Sequence, residues 1–148
     1  MFTLRTALPS DAAAISALTE QLGYPAPPSA TLDRLERLLR HPDQLVVVAC
    51  SGEQVAGWLQ AHAYDVLESG LLVEIVGLVV AEPSRRAGVG RALVEQAKRW
   101  ACARDAEALV VRSNTLRTQS HRFYPTLGFT ASKTQAVYEI RLPRSPSA

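Results

Sequence analysis

The chain has 148 residues, a length that fits one domain with a sizeable core. Hydrophobic residues make up 47% and charged residues 20%, the balance of a soluble globular protein, and the net charge of +2 is too small to indicate a nucleic-acid-binding protein. Cys50 and Cys102 are the only cysteines, which excludes a disulfide framework and a cysteine-based metal cluster. The N-terminus lacks the apolar core of a signal peptide, and the most apolar stretch, residues 71–80, is too short to span a bilayer, so a cytoplasmic location without membrane contact is expected.

The first part of the chain alternates between helical and extended patterns. Ser10 or Asp11 can cap a helix whose apolar residues recur at helical spacing, and a proline-rich loop separates it from a second amphipathic helix. Two extended segments follow, joined by the turn at 51–54. The predicted elements are a strand over 2–7, helices over 10–22 and 31–40, and strands over 44–50 and 55–64.

The next strand, predicted over residues 71–81, is apolar on both faces, which is typical of a central strand covered on each side. Glu74 is the exception, because a carboxylate in such a strand is costly unless it faces a cleft or a partner. Strict alternation places two sets of side chains on opposite faces: Leu72, Val76, Leu78 and Val80 on one, and Val73, Ile75 and Val79 on the other.

The remaining pattern predicts two helices and three strands. They are a helix over 88–104, a strand over 108–112, a helix over 115–124 and two closing strands over 128–132 and 136–142. The order β-α-α-β-β-β-α-β-α-β-β predicts a mixed α/β domain built on one sheet. We expect one domain over residues 1–142 and a flexible C-terminal tail over 143–148.

Two glycines, Gly88 and Gly90, stand where the long helix begins, although glycine weakens a helix. A helix N-terminus carries unpaired N–H groups and partial positive charge, so it binds phosphate where the backbone can be approached closely. Glycine allows that approach, and Arg85, Arg86 and Arg91 add positive charge. The pattern predicts a phosphate or pyrophosphate site.

The alternative is a tight connection between a strand and a helix, with solvated arginines around it. Two nucleotide-binding motifs are excluded, and with them a nucleotide-binding regulatory domain is disfavoured. No GK[ST] follows the turn, as a P-loop requires, and Leu93 stands where a dinucleotide-binding motif has its third glycine.

The strand EIVGLVV, the turn RRAGVG and the long helix together resemble the acyl-CoA-binding motif of the GNAT superfamily of N-acetyltransferases. That motif, [QR]-x-x-G-x-[GA], is matched by Arg85, Gly88 and Gly90. A second motif further along the chain is also similar: an Asn after a strand, then a helix ending in F-Y-x-x-x-G-F. It is matched by Asn114, Phe123, Tyr124, Gly128 and Phe129. The resemblance implies an α/β (α+β) fold with a single mixed, mostly antiparallel sheet flanked by helices.

The resemblance also implies how acetyl-CoA is held. The amides of the turn and helix start would bind the pyrophosphate, the end of the strand would pair with the pantetheine arm as an added strand does, and Asn114 would contact the same arm. Arg117 is predicted to reach a CoA phosphate. The implied cofactor-binding residues are Leu78, Val79, Val80, Arg85, Arg86, Ala87, Gly88, Val89, Gly90, Arg91, Asn114 and Arg117.

The implied reaction is direct acetyl transfer from acetyl-CoA to a primary amine of a small molecule or peptide. The Leu78 amide would stabilise the oxyanion, and Tyr124 would protonate the departing thiolate, with Pro125 expected to kink the helix beside it. Glu74 is the candidate base, because burial favours proton uptake by a carboxylate. Its alternative role is that of a carboxylate paired with an arginine of a neighbouring strand or with water.

Two residues are candidates for the acceptor pocket: His62 on the third strand and Tyr24 in the proline-rich loop. No metal is expected. The resemblance is compatible with a homodimer, although the sequence indicates no interface. A non-catalytic acyl-CoA-binding sensor stays open as a second interpretation, since it would need the glycine turn but neither Glu74 nor Tyr124.

Overall fold

A computed structural model describes residues 1–21, 23–113 and 118–145. For residues 118–120 it describes the backbone alone. The residues form two compact units, Met1–Arg112 and Ser113–Ala148. The strands are β1 (Thr3–Thr6), β2 (Gln44–Ser51), β3 (Gln54–Val66), β4 (Gly70–Val80) and β5 (Ala108–Val111), and the helices are α1 (Ala12–Glu20), α2 (Pro28–Leu39), α3 (Val89–Ala103) and α4 (Thr118–Thr126). The single domain over 1–142 stays a prediction.

The five strands form one sheet in the order β1-β2-β3-β4-β5. Neighbours pair antiparallel except β4 and β5, which are parallel because α3 carries the chain back across the sheet before β5 begins. This mixed, mostly antiparallel sheet flanked by helices confirms the fold class predicted from the sequence.

The core lies on both faces of the sheet. On one face, Val46 and Val48 of β2 pack in a buried cluster with Ile15 of α1 and Leu35 of α2. On the other face of the sheet, α3 buries its apolar side chains. The buried residues of α3 are Val89, Leu93, Val94, Ala97 and Ala101. The two faces therefore have different helical partners.

A β-bulge at Val76 corrects the predicted alternation of β4. Ile75 pairs with Ala61 and Val79 pairs with Trp58, so three steps along β3 correspond to four along β4. Opposed residues of antiparallel strands project to the same face, and Ala61 and Trp58 lie on opposite faces. Val79 is therefore on the face opposite Ile75, whereas strict alternation placed them together.

Asp11 has a different role from the one predicted. It occupies the N-cap position of α1, but its carboxylate accepts hydrogen bonds from Arg5 at 2.7 and 2.9 Å and from the Leu8 amide at 2.7 Å, and it does not cap the helix. α2 begins at Pro28, three residues before the predicted start, because proline is suited to the first position of a helix. Leu22, the predicted end of α1, lies outside the described residues.

The two closing strands predicted over 128–132 and 136–142 are not formed. Residues 129–145 carry no strand, and Val137, Tyr138, Ile140 and Leu142 are all exposed. Their alternating pattern favours a strand, but a strand needs hydrogen-bonding partners and a surface on which to bury one face. The predicted start of the last helix at Thr115 lies outside the described residues, as does the end of the predicted tail, 146–148.

Candidate active site

The glycine turn forms an open helix N-terminus. Gly88 is the N-cap residue of α3 and has a left-handed backbone with φ of 86°, and no side chain caps the helix. The Ala92 amide makes the first bond of the helix, 3.0 Å to the Gly88 carbonyl. The amides that precede Ala92 in the first turn have no acceptor within the helix. Gly88 thus sets both the turn and the exposure of these donors.

Positive charge surrounds this turn. Arg85, Arg86 and Arg91 are exposed, and Arg86 itself has a left-handed backbone, with φ of 72°. Such a conformation is uncommon for a residue with a Cβ atom and costs about 1 kcal/mol or more. Arg85 folds back, and its Nε donates to the Val80 carbonyl at 3.3 Å. The turn is therefore tied to the end of β4.

The sheet opens beside this turn. The pairing of β4 with β5 ends at Ile75 and Val111, while β4 continues to Val80 and stays paired with β3 on its other edge. Within the described strands, residues 76–80 therefore have one edge without a strand partner. Leu78 and Val80 are half-buried and Val79 is buried there. An extended chain could pair with this edge.

Gly77 lies directly beyond the bulge, and its lack of a side chain is required by Trp58. A Cβ atom on Gly77 would lie 2.5 Å from the Trp58 ring. The ring is half-buried, and among the described residues no hydrogen-bond partner reaches its buried Nε1.

Glu74 belongs to a polar network on the face that also carries Trp58. His62 lies directly opposite Glu74 across the β3–β4 pair, and its ring stacks on Tyr64 with centroids 4.8 Å apart. The Tyr64 hydroxyl donates to Glu74 Oε1 at 3.0 Å, and Arg112 forms an ion pair with the same oxygen. The Glu74 side chain is 13% exposed and Arg112 is 55% exposed.

The Arg112 contact is the arrangement expected from the alternative role of Glu74. The hydrogen bond and charge of Glu74, together with the Tyr64 hydroxyl, raise the pKa of Arg112. The role of Glu74 in catalysis stays a prediction.

Tyr124 lies in the second unit, in the last turn of α4. The helix continues past Pro125 to Thr126, and the amides of Leu127 and Phe129 donate to the Tyr124 carbonyl at 3.0 and 3.3 Å. The Tyr124 ring meets Phe129 edge-to-face, with centroids 5.6 Å apart. The motif residues that follow Tyr124 therefore fix its backbone locally.

The other predicted site residues are placed as follows. Tyr24 is 61% exposed in the loop between α1 and α2, and His62 lies on β3 as described. Asn114 and Arg117 lie outside the described residues. Sequence reasoning missed Tyr64 and Arg112; Tyr64 is two residues from His62 on the same strand face, a spacing that could have indicated it.

Among the described residues, no group of three or more His, Cys, Asp or Glu side chains is arranged to hold a metal ion. Within the same part of the chain, no helix is both long and apolar enough to cross a membrane.

The acetyltransferase (GNAT) family model matches residues 12–129 of this chain. The chain belongs to the GNAT family of acetyltransferases. This confirms the family resemblance and the prediction of an acetyltransferase. A curated relative, aminoglycoside N(6')-acetyltransferase type 1 of Stenotrophomonas maltophilia, is 29% identical over 151 residues, covering 99% of this chain and 96% of the relative.

Solved structures share the fold. AAC(6')-Iy in complex with the bisubstrate analogue CoA-S-monomethyl-acetylneamine superposes with a TM-score of 0.84 at 20% identity, covering 96% of this chain and 99% of that one. A transcriptional regulator from Bacillus halodurans C-125 superposes with a TM-score of 0.83 at 22% identity, covering 95% of this chain and 100% of that one. At such identities the likeness shows the fold alone, and one fold can host different functions.

Proposed function

We propose that this GNAT protein transfers the acetyl group of acetyl-CoA to a primary amine of a small molecule by direct attack within a ternary complex. The observation that supports this most strongly is the opening between β4 and β5 after Ile75 and Val111, next to the uncapped N-terminus of α3. An unpaired strand edge suits the amide-containing pantetheine arm, and the open helix start suits the pyrophosphate.

The backbone would supply most of the cofactor contacts. The amides of residues 86–91 would bind the pyrophosphate, with Arg85 and its neighbours neutralising its charge, and Leu78, Val79 and Val80 would pair with the pantetheine arm. Asn114 is assigned to the same cofactor because it matches the family motif, and Arg117 because it follows Asn114 closely in the sequence.

The reaction needs three groups: one that stabilises the oxyanion, one that protonates the thiolate and one that removes the proton of the amine. The acceptor nitrogen attacks the thioester carbon, and the C=O electron pair moves onto oxygen, where the Leu78 amide stabilises the charge. Collapse of this intermediate breaks the C–S bond, and the thiolate takes a proton from Tyr124. Glu74 removes the proton that the acceptor nitrogen loses, directly or through water. The role of Tyr124 rests on the family motif alone.

The acceptor is proposed to be an aminoglycoside or a similar polar amine. The named activity of the Stenotrophomonas maltophilia relative supports this class. The half-buried polar strip formed by Gln44, Gln60, His62, Tyr64 and Glu74 supports it as well. A sugar bearing amines and hydroxyls suits a surface with amide groups, stacked rings and one carboxylate. Tyr24 is proposed to lie at the edge of the acceptor pocket that this strip would form.

A cytoplasmic location, a metal-free reaction and a homodimer stay predictions.

Release of CoA thiol from acetyl-CoA, followed with a thiol-reactive chromophore, tests the proposal. The panel contains an aminoglycoside, a linear polyamine and a lysine-containing peptide, with a matched reaction lacking acceptor as control. We expect the aminoglycoside to increase thiol release in proportion to the acetylated product. Tight CoA binding without amine-dependent release would instead favour the sensor interpretation.

A further inference from the structure

Three side chains from adjacent parts of the sheet converge beside the opening of β4 and β5. Glu74 is one residue before the last β4–β5 pair. Tyr64 is two residues after His62, which opposes Glu74, and Arg112 is two residues after Val110, which also opposes Glu74. Alternation along β3 and β4 therefore places Tyr64 and Glu74 on one face, and Arg112, the first residue after β5, reaches the same carboxylate.

Both donors reach one oxygen of the carboxylate. The Tyr64 hydroxyl and Arg112 Nη1 donate to Oε1, and no other donor among the described residues contacts this carboxylate. An ionised carboxylate has about four acceptor positions on two oxygens. Oε2 therefore has acceptor capacity for a further donor without displacement of either existing partner.

The two donors differ in how firmly they are held. The Tyr64 ring is fixed by its stack on His62, with an interplanar angle of 21°. Arg112 is 55% exposed, so its guanidinium is largely hydrated, while the Glu74 side chain is only 13% exposed. A carboxylate so buried is stable in its ionised form only with partners that compensate for lost hydration. Tyr64 supplies orientation, and Arg112 supplies charge.

We propose that Tyr64 and Arg112 are positioning residues that orient the Glu74 carboxylate, with Oε2 directed to the acceptor as the seat of its ammonium group. The proposal rests on the proposed function and deepens it. The acceptor class is then a protonated primary amine, because a hydroxyl or thiol acceptor would bring no charge to complement the carboxylate.

Tyr64→Phe tests the orienting bond, because it keeps the ring on His62 and removes only the hydroxyl. We expect the KM for the amine to rise about tenfold, the loss of one hydrogen bond to a charged group, with the KM for acetyl-CoA within about twofold of wild type. An unchanged KM for the amine would overturn the proposal.

Arg112 is tested with a conservative and a neutral replacement. Arg112→Gln should raise the KM for the amine as Tyr64→Phe does, and Arg112→Lys should restore most of the wild-type value. Arg104→Gln is the control, because it removes an arginine that pairs with a different carboxylate, Asp43. The KM for the amine should stay within about twofold of wild type in this control, and an equal rise in both glutamine variants would overturn the proposal.

Carbon-13 NMR of the glutamate side-chain carboxyls gives a readout that needs no turnover. The Glu74 resonance, assigned by its absence in Glu74→Gln, should shift when an aminoglycoside binds, and Tyr64→Phe should need about tenfold more aminoglycoside for the same shift. If a bound amine leaves the resonance unchanged, the seat is wrong. If the amine shifts the resonance and is never acetylated, the proposed function fails while the seat stands.

Discussion

Two of the carboxylate–arginine pairs in the unit Met1–Arg112, Asp11 with Arg5 and Glu74 with Arg112, are built differently. Asp11 is held by both guanidinium nitrogens of Arg5 and by the Leu8 amide, and its side chain is 8% exposed. Glu74 shares one oxygen between Arg112 and Tyr64. Both oxygens of Asp11 accept hydrogen bonds from the protein itself, which suits a structural role, whereas Oε2 of Glu74 accepts none from the described residues. Glu74 keeps acceptor capacity beside the opening of the sheet.

The electrostatics of the two pairs support this distinction. The hydrogen bonds from Arg5, followed by the bond from Leu8, lower the pKa of Asp11 despite its burial. That carboxylate is therefore ionised throughout the neutral range and ties β1 to the start of α1. Arg112, by contrast, is more exposed than Arg5, at 55% against 41%, and its pair contributes little stability because water screens it.

The largest effect on activity is expected at Glu74. Glu74→Gln keeps the shape and removes the charge and the proton acceptor, so kcat/KM for the amine should fall about a hundredfold or more. The free energy of unfolding should change by less than about 1 kcal/mol, because Tyr64 can still donate to the amide oxygen and Arg112 is solvated. Steady-state kinetics and urea denaturation measure the two quantities. A large loss of stability with intact kcat/KM would reverse the roles assigned to the two pairs.

The largest effect on stability is expected at Asp11. Asp11→Asn removes the charge from a bidentate pair and weakens the bond from Leu8, which should lower the free energy of unfolding by about 2 kcal/mol and Tm by roughly 5 °C. Activity per folded molecule should stay within about twofold of wild type. Thermal unfolding and kinetics well below Tm check both statements, and a specific loss of kcat would count against a purely structural role.

The pH dependence of stability sharpens the comparison further. Because the folded-state pKa of Asp11 is lowered, the unfolded chain binds more protons, and the pair stabilises the fold at every pH above the unfolded value of about 4. This stabilisation is lost as the pH falls through the folded-state pKa. Urea denaturation from pH 6 to about pH 3 should therefore show a smaller decline for Asp11→Asn than for wild type. Parallel curves would contradict the assignment.

The smallest effect is expected at the helix start. Gly88→Ala places a side chain at a φ of 86°, which should cost about 1 kcal/mol of stability, although a Cβ atom there meets nothing within 4 Å. Gly52→Ala is the matched control, because Gly52 has a φ of 62° and equally open space in the β2–β3 turn. Calorimetry should show weaker CoA binding in Gly88→Ala alone. Equal affinity in both variants would remove the turn from the cofactor site.

The sequence predicted most of the fold and the glycine turn, because the sequence signals for them are local. Apolar periodicity identified α3 and β4, and the glycine turn was recognised where Gly88 is the N-cap residue of α3. The partners of Glu74 were missed because Arg112 is 38 residues away along the chain, and only the parallel β4–β5 pairing brings the two together. The bulge at Val76 escaped alternation for the same reason, since a bulge is a property of a strand pair.

The prediction of the two closing strands was wrong for a related reason. Residues 136–142 have the alternation of a strand, but alternation does not specify a partner, and Tyr138 and Ile140 remain exposed.

The most direct test of the account is product analysis by mass spectrometry after incubation of the protein with acetyl-CoA and an aminoglycoside. We predict an aminoglycoside carrying one added acetyl group, in amounts equal to the CoA released, with no acetylated form of the protein at any time. Hydrolysis of acetyl-CoA without an acetylated amine, or acetylation of the protein before that of the amine, would contradict direct transfer in a ternary complex.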